Sequence, residues 1–485
     1  MLIARGQFTA AASCFAEALL LNPWFPQAHA HLGYAMDQAG DTHLAEQHYR
    51  KALLQLPAMP HVHLNLGALL VQQKRLAEAE ASYAAALALD PSNAQIWSNL
   101  GSLNLALKRD DDAETCLRHA MALDPQADKP RFNLAYLQLQ RGNFAEGWTL
   151  FEARDWYQRM EQHFKFPRWQ GEPLTNRRLV LSFEAGHGDV IQFCRYARRF
   201  RERGASHVAL ICHPALTRLL QSVSGIDEVI SFDDAVPQTG YDFWTPLLSA
   251  PYHFNQQPDL QGAFDHQGAP GLADGIDSAI PYISANPQLI ARWKPHLSAL
   301  PAMPALPTSE SRPIHPLRPV RIGLVWRGNP RFENDRDRSL PDLALLSPLW
   351  QVPDTCFISL QKGGGEDQAR ALSRQLPLLC LGEQLDDFAD AAAVLAQLDL
   401  LISVDTAMAH LAGAMGVACW LLLPHYMTDW RWGKEATQSR WYPNALRLFR
   451  QDASERWEGV IEQLQQALRG NTEKLRRATV ASPDA

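Results

Sequence analysis

The 485-residue chain has few cysteines: it contains seven, scattered along its length, and no two of them form a C-x-x-C pair. This pattern argues against a disulfide framework and against a structural zinc site, and it fits a reducing compartment with buried thiols. No apolar stretch approaches the roughly 18 uncharged residues that a membrane-spanning helix needs. We therefore expect a cytoplasmic protein with no integral membrane segment.

An excess of basic residues is also missing. Lys and Arg together number 45 against 52 Asp and Glu, so the formal net charge is −7, and no long basic run occurs. A nucleic-acid partner is therefore not expected. The dinucleotide-binding fingerprint G-x-G-x-x-G is absent as well. The composition is otherwise that of an ordinary globular chain, long enough for about three domains.

A repeat with a period of 34 residues occupies the N-terminal third of the chain. Its closing prolines are Pro23, Pro57, Pro91 and Pro125. The same step relates Gly33, Gly67, Gly101 and Ala135, and then Tyr49, Tyr83, Leu117 and Phe151. This pattern is typical of tetratricopeptide repeats (TPRs), and it predicts an α-solenoid over residues 1–155. Most of the first helix of the first repeat is missing, so either the start is a modified cap or the natural array is longer.

One repeat position carries a run of asparagines. Asn65, Asn99 and Asn133 occupy the same place in successive first helices. An amide side chain both donates and accepts hydrogen bonds, so a stacked row of them could bind an acceptor peptide through its backbone. The alternative is that asparagine is common at this position and merely polar.

Two histidine pairs in the repeats, at 29/31 and at 61/63, have the look of metal ligands. Residues two apart do not share a helix face, however. His29 and His63 also fall where Trp97 stands in the next repeat, which is a packing position. We therefore interpret them as structural.

Alternating strand and helix patterns follow the repeats and predict two α/β domains with parallel sheets. We place an aromatic docking linker at 156–175, the first α/β domain at 176–294, a Pro-rich linker at 295–319, the second α/β domain at 320–470 and a frayed tail at 471–485. In the first domain a strand at 179–183 leads into a glycine-bearing turn and a helix at 190–203. Gly186 and Gly188 of that turn allow close approach of a ligand beside Asp189. Alternatively, Asp189 simply caps the helix.

The second domain begins with a strand and then an arginine-rich loop. Four arginines are candidates to bind a diphosphate: Arg327, Arg331, Arg336 and Arg338. A guanidinium group can donate two parallel hydrogen bonds to a phosphate. Asp335 and Asp337 form a D-x-D pattern, but the flanking arginines could satisfy both acids. We expect no metal there.

The segment from Leu398 to Trp432 organises the second domain. A buried strand at 400–404 is followed by Asp405 and Thr406 as helix caps, by a helix from Ala407 to Met415 and by another strand at 417–423. A helix N-terminus at the carboxyl end of a parallel strand attracts phosphate, and open α/β sheets bind ligands there. His410 lies one turn into that helix, on the face that carries Thr406.

Several segments together carry a family resemblance: EAGHGDVIQFCRYA, GLVWRGNP, DRDRSLP, SLQKGGG, LISVDTAMAHLAGAMG, LLPHYMTDWRW and WYPNALRLFRQ. They resemble bacterial TPR proteins whose C-terminal half is a GT-B glycosyltransferase, akin to the heptosyltransferases and similar in architecture to the O-linked N-acetylglucosamine transferases. The resemblance implies an α + α/β chain in which a TPR α-solenoid precedes a GT-B pair of Rossmann-like domains.

The resemblance also implies roles for individual residues. Asp189 matches the presumed base, although His187 stands where leucine is commoner in the relatives and competes for that role. The donor site would comprise Arg327, Asn329, Arg338, Gln361, Lys362, Asp405, Thr406, Ala407 and His410. No metal and no other cofactor is implied.

The expected activity is therefore inverting, metal-independent transfer of a sugar from a nucleotide-sugar to a hydroxyl group. The favoured acceptor is a protein Ser or Thr recruited by the TPR groove. One alternative is an enzyme acting on lipopolysaccharide or another glycan, and a second is a non-catalytic TPR scaffold.

Overall fold

The computed structural model describes residues 1–154, 157–255, 279–298, 318–332 and 334–480. The chain divides into two compact units, Met1–Gln138 and Leu139–Ala485. Most of the predicted Pro-rich linker at 295–319 lies outside the described residues, as do residue 156 of the predicted docking linker and residues 481–485 of the predicted tail.

The first unit consists of paired helices, and it confirms the repeats. The helices are α1 (Phe8–Leu21), α2 (Pro26–Gln38), α3 (Thr42–Gln55), α4 (Pro60–Gln72), α5 (Leu76–Leu89), α6 (Ala94–Ala106), α7 (Asp110–Leu123) and α8 (Asp128–Arg141), the last of which runs into the second unit. Each periodic proline stands two residues beyond the end of a helix, where it cannot be part of the helix interior.

Small and large residues alternate in the packing of these pairs. A Cβ atom built on Gly67 would lie 2.5 Å from the ring of Tyr83, and one on Gly33 would lie 2.8 Å from the ring of Tyr49. The glycines therefore allow an aromatic ring of the next helix to pack on the backbone, as the repeat pattern predicts.

The position of His29 and His63 has a shared structural role. The Nε2 atom of His63 lies 3.0 Å from the carbonyl oxygen of Pro57, and Nε2 of His29 lies 3.3 Å from that of Pro23. Trp97 donates from Nε1 to the carbonyl oxygen of Pro91 at 2.9 Å. This position therefore anchors the turn before α2, α4 and α6, which gives His29 and His63 the structural role expected of them.

The second unit contains two sheets whose described strands are all parallel. The first sheet has the order β3-β2-β1-β4, with β1 (Arg178–Ser182), β2 (His207–Cys212), β3 (Glu228–Ser231) and β4 (Phe243–Pro246). The second has the order β10-β9-β8-β5-β6-β7, with β5 (Val320–Val325), β6 (Thr355–Ser359), β7 (Leu378–Cys380), β8 (Leu400–Val404), β9 (Cys419–Leu423) and β10 (Leu446–Arg450).

The helices of the second unit complete the α/β pattern. They are α9 (Phe144–Phe151), α10 (Gln158–Glu161), α11 (His187–Phe193), α12 (Ala197–Glu202), α13 (Thr217–Leu220), α14 (Ala250–Asn255), α15 (Pro287–Ser298), α16 (Asp335–Arg338), α17 (Glu366–Ser373), α18 (Phe388–Leu395), α19 (Ala407–Ala414) and α20 (Glu458–Val480). Helix α9, which the repeat pattern assigns to the solenoid, belongs to this unit. Its Trp148 packs against Phe193, Trp430 and Trp441.

Two helices differ from the sequence-based expectation. The predicted helix at 190–203 is interrupted between α11 and α12, where Arg195 Nε donates to the carbonyl oxygen of Gln192 at 2.8 Å. The interruption itself is a 3-10 turn over Cys194–Tyr196. The closing helix α20 extends through residues 471–480, which the sequence analysis places in a frayed tail. Burial of Leu475 in the core of the second sheet explains the extension.

Counted along the chain, the first sheet has strand order 3-2-1-4 and the second has 3-2-1-4-5-6. The second is the order of dinucleotide-binding α/β folds, in which ligands bind outside the carboxyl ends of the strands where the order reverses. Those switch points lie between β1 and β4 and between β5 and β8. They place the turn after β1 and the loops after β5 and β8 at ligand-binding positions.

Candidate functional site

The loop after β8 leads directly into the N-terminus of α19. Thr406 is the helix cap by its backbone, with φ −143° and ψ 169°, and its side chain makes no capping bond with any described residue. Its Oγ1 lies instead 3.1 Å from Oγ of Ser403. By helix geometry the N–H groups of Ala407 and Met408 have no partner within α19, whereas that of Ala409 donates to the carbonyl oxygen of Thr406 at 3.0 Å. The first two can therefore face an anion at the predicted place.

His410 lies one turn further along α19 and is buried. Its Nδ1 is 2.8 Å from the hydroxyl of Tyr442, which fixes the orientation of the ring. Burial holds the pKa of His410 well below its usual value, and the charges of Arg431 and Arg195 lower it further. The imidazole is therefore neutral at physiological pH.

Asp405 is tied to a tryptophan of the loop that follows β9. Its Oδ2 accepts a hydrogen bond from Trp432 Nε1 at 2.9 Å. Burial raises the pKa of Asp405 to about 6, and the nearby charge of Asp429 acts in the same direction. The Asp405 carboxyl therefore changes charge close to neutral pH.

Asp189 is the third residue of α11, and the N-cap of that helix is Gly186. Asp189 Oδ2 accepts from the backbone N–H of Gly186 at 2.9 Å, so the carboxyl stabilises the start of the helix from inside it and is not the N-cap that the alternative interpretation expects. Its Oδ1 forms an ion pair with Arg431. Burial raises the pKa of Asp189, and Arg431 opposes that rise.

Helices α11 and α19 touch at a glycine. A Cβ atom on Gly188 would lie 2.8 Å from Cδ2 of His410 and 3.6 Å from Cα of Ala407. This contact brings the Asp189 turn of the first sheet against the Thr406 to His410 turn of the second. The predicted base and part of the predicted donor site therefore share one location.

His187 has different surroundings from Asp189. Its ring lies 4.5 Å from the ring of His213 and 5.4 Å from that of Phe388, measured between centroids. Its Nε2 is buried and has no hydrogen-bond partner among the described residues. Burial lowers the pKa of His187, and His213 adds to the effect. His187 is thus a neutral imidazole among aromatic rings.

Two of the four arginines in the loop after β5, Arg327 and Arg338, are engaged with their own chain. Arg327 donates from Nε to the carbonyl oxygen of Leu340 at 3.3 Å and from its guanidinium to that of Pro341. Arg338 pairs with Asp335 at 3.2 Å, which satisfies one acid of the D-x-D pattern. Arg338 nevertheless lies near enough to Asp405 and His410 to influence both electrostatically.

The other predicted donor residues lie around the same loop. Gln361 is buried, and its Oε1 accepts from the N–H groups of Trp326 and Arg327, at 3.0 Å each. Its amide thus fixes the loop after β5. The Lys362 ammonium donates to the carbonyl oxygen of Leu385, and Asn329 is exposed. None of the described contacts of these three residues reaches 405–410.

Sequence reasoning missed Arg431 as a site residue. It stands in a short 3-10 helix, Trp430–Trp432, and its guanidinium bonds Asp189, Asp429 and Gln192. The segment LLPHYMTDWRW contributes to the family resemblance, yet nothing in a lone arginine between tryptophans shows that α11 lies against it. Only the fold supplies that information.

The three TPR asparagines are each engaged within the first unit. Oδ1 of buried Asn99 accepts from Lys129 Nζ at 2.9 Å, and Nδ2 of Asn133 donates to Ser102 Oγ at 2.8 Å. Asn65 lies beside the phenol of Tyr49. Binding of an acceptor peptide by this row remains a prediction, and it would require exchange of these internal bonds.

Two further predictions concern metals and membranes. Among the described side chains, no three His, Cys, Asp or Glu groups come together as a metal site would require. Within the same ranges, no helix combines the length and apolar character needed to cross a bilayer.

Comparison with known proteins identifies the N-terminal repeats. Tetratricopeptide-repeat models match residues 2–60, 35–94 and 70–127. Protein FlbA of Caulobacter vibrioides is 25% identical over 357 residues, which cover 70% of this chain and 54% of FlbA. The chain therefore spans about half the length of that relative. Tetratricopeptide repeats indicate a protein-interaction scaffold in the N-terminal region.

Solved structures that resemble the chain cover about a third of it. Pseudomonas aeruginosa pilF is 26% identical, covers 31% of this chain and 70% of its own, and has a TM-score of 0.30. MamA is 16% identical with coverages of 33% and 94% and a TM-score of 0.30. YrrB, described as a TPR protein with an unusual peptide-binding site, is 21% identical with coverages of 30% and 74% and a TM-score of 0.27.

Proposed function

We propose that the second unit is a GT-B glycosyltransferase that moves a sugar from a nucleotide-sugar to an acceptor hydroxyl. The contact between Gly188 and His410 carries this proposal. It joins a carboxylate, at the end of one parallel sheet, to an anion-binding helix terminus at the end of another. A base and a diphosphate site must lie within one substrate length of each other for such a transfer.

The chemistry follows from these positions. Asp189 takes the proton of the acceptor hydroxyl as that oxygen attacks the anomeric carbon. The bond between this carbon and the diphosphate breaks, and its electron pair leaves with the nucleoside diphosphate. The N–H groups at the start of α19 stabilise the charge that develops on the leaving group, without a metal. A single displacement of this kind inverts the anomeric centre. His187 is the competing base, since a neutral imidazole can also accept a proton.

The TPR unit supports a protein acceptor, because such repeats bind peptides along their surface. The acceptor hydroxyl would then belong to a Ser or Thr. A glycan acceptor is the second candidate. Removal of residues 1–138 separates them: transfer to a protein requires the repeats, whereas transfer to a glycan survives their loss.

The first test is thermal unfolding of the full chain with UDP, GDP, ADP and CMP. A ligand at 100 times its Kd stabilises the folded state by about 2.7 kcal/mol, which is a shift of a few degrees. We expect one nucleotide to produce that shift. The matched control is Asp189→Asn, which should retain the shift and lose sugar transfer. Absence of a shift with any nucleotide contradicts the proposal and favours a scaffold without catalysis.

A further inference from the structure

Arg431 lies where the two sheet domains of the second unit meet, and its side chain is only 8% exposed. Every nitrogen of its guanidinium is engaged. Nε donates to Gln192 Oε1 at 2.5 Å, Nη1 lies 3.1 and 3.0 Å from the two oxygens of Asp429, and Nη2 pairs with Asp189. The arginine therefore connects the loop after β9 to helix α11.

The orientation of Gln192 follows that of Arg431. Gln192 is fully buried, and its Nε2 has no partner among the described residues. An unpaired buried donor costs free energy. The Gln192 amide nevertheless keeps this orientation, because its oxygen accepts the hydrogen bond from Arg431. The surroundings are thus arranged around the arginine.

The residues on either side of Arg431 fix its backbone. Trp430 packs on Trp148 with ring centroids 5.4 Å apart and on Trp441 with centroids 5.8 Å apart. Trp432 donates from Nε1 to Asp405 at 2.9 Å. Because the backbone of Arg431 is held on both sides, its side chain loses little conformational entropy when it pairs with Asp189.

Few other charges act on Asp189 from the elements packed against it. Gly186 N–H, from its own turn, and Arg431 favour the carboxylate, whereas Asp429 disfavours it. From α19, His410 approaches through Gly188 as a neutral ring. Asp405 accepts a hydrogen bond from Trp432, and the charge of Asp429 acts on it as well. Loss of Arg431 would remove the main charge that lowers the pKa of Asp189, so this pKa would rise further, and a protonated acid cannot act as a base.

We infer that Arg431 is a positioning residue that keeps the Asp189 carboxylate oriented and ionised, so that it can take a proton from the acceptor hydroxyl. The base role of Asp189 rests on the proposed function. The control of its ionisation by Arg431 and Asp429 does not, so the two can be tested apart.

The first experiment measures ionisation without any substrate. The full chain is labelled with ¹³C at aspartate carboxyls, Asp189 is assigned by loss of its signal in Asp189→Asn, and its pKa is followed in variants. Because Arg431 lowers this pKa and Asp429 raises it, Arg431→Met should shift it upward and Asp429→Asn should shift it downward. Arg431→Lys, which keeps the charge, should stay closer to the wild type than Arg431→Met does. Equal values in all variants, or shifts of the same sign, overturn the inference.

The second experiment follows release of nucleoside diphosphate from the nucleotide-sugar whose nucleotide stabilises the chain. The acid limb of kcat/KM should move to higher pH in Arg431→Met and to lower pH in Asp429→Asn. At the wild-type midpoint we expect Arg431→Met to lose about tenfold or more in rate, since general-base catalysis contributes about 10²–10⁴. If the pKa of the Asp189 carboxyl shifts in the variants but the acid limb of kcat/KM does not, Asp189 is not the base. The positioning role of Arg431 would then be overturned. If the wild-type chain neither binds nor cleaves any nucleotide-sugar, only the proposed function is refuted. The carboxyl titrations would still show whether Arg431 and Asp429 control the ionisation of Asp189.

Discussion

The two sheets of the second unit reverse their strand order in the same way, yet the crevices at these points have different contents. Between β1 and β4 the crevice is filled by the fully buried side chain of Arg154. Between β5 and β8 it is bordered by the first turn of α19, where the N–H groups of Ala407 and Met408 have no acceptor within the helix. The same reversal of strand order is therefore compatible with very different side chains at the switch point.

The filled crevice contains a network of ion pairs. Arg154 pairs with both oxygens of Glu184, at 2.8 and 2.9 Å, with Glu152 at 2.6 Å and with the hydroxyl of Ser249 at 2.7 Å. Arg168 pairs with the second oxygen of Glu152 at 2.6 Å. These bonds hold the segment before β1 against the carboxyl ends of β1 and β4. A diphosphate would have to displace the buried carboxylate of Glu184 and the largely buried one of Glu152 there, so under the proposed function we expect the donor at the other sheet.

The largest effect should come from breaking the filled crevice. Arg154→Met leaves the buried Glu184 without its cation, although Glu152 keeps its pair with Arg168. Removal of one partner of a buried pair typically costs about 3–5 kcal/mol. We expect a loss of this size in urea unfolding followed by tryptophan fluorescence. The matched control is Arg177→Met, which removes an exposed pair with Asp242 in the same sheet. That change should cost about 1 kcal/mol or less, and similar losses in both variants would contradict the structural role of the crevice network.

The next effect should come from the contact between α11 and α19. Gly188→Ala places a methyl group 2.8 Å from the His410 ring, and overpacking of this kind costs about 1–3 kcal/mol. We expect a lower midpoint of thermal unfolding and loss of the nucleotide-induced shift. Gly364→Ala is the control, because a Cβ there meets nothing within 4 Å. If Gly188→Ala binds nucleotide as the wild type does, the two helix turns do not form one site.

A smaller and pH-dependent effect should test the crevice between β5 and β8. Asp405, with a pKa of about 6, is mostly protonated at pH 5.5 and mostly charged at pH 7.5. Its charge repels a diphosphate at α19, so Asp405→Asn should bind the same nucleotide about threefold to tenfold more tightly at pH 7.5 and equally at pH 5.5. Comparing the two chains with one nucleotide cancels the titration of the ligand itself. A ratio that does not change with pH would place the diphosphate away from Asp405.

Local features of the candidate site could be predicted from the sequence, whereas contacts between distant segments could not. The strand at 400–404 and the cap at Thr406 are local features, and the structure has them where the pattern predicts. The role of Gln361 was not predictable, because a buried amide that bonds the loop after β5 looks in sequence like a polar residue free to bind ligand. The pairing of Asp189 with Arg431 spans 242 positions, so no local pattern could indicate it.

The smallest effect concerns metal ions. It tests whether the protein alone, without a metal, neutralises a diphosphate in the crevice between β5 and β8. Asp335 of the D-x-D pattern already pairs with Arg338 and accepts from Ser339 Oγ at 3.0 Å, which leaves it poorly suited to a cation. Magnesium ligands are mainly carboxylates, phosphates and water. We therefore expect nucleotide-induced stabilisation and sugar transfer to remain within error when EDTA replaces Mg²⁺. Asp335→Asn should likewise leave any Mg²⁺ response unchanged. A shift that requires Mg²⁺ and disappears in Asp335→Asn would show that a metal bridges the diphosphate to this loop, and the neutralising role given to the α19 terminus would then be wrong.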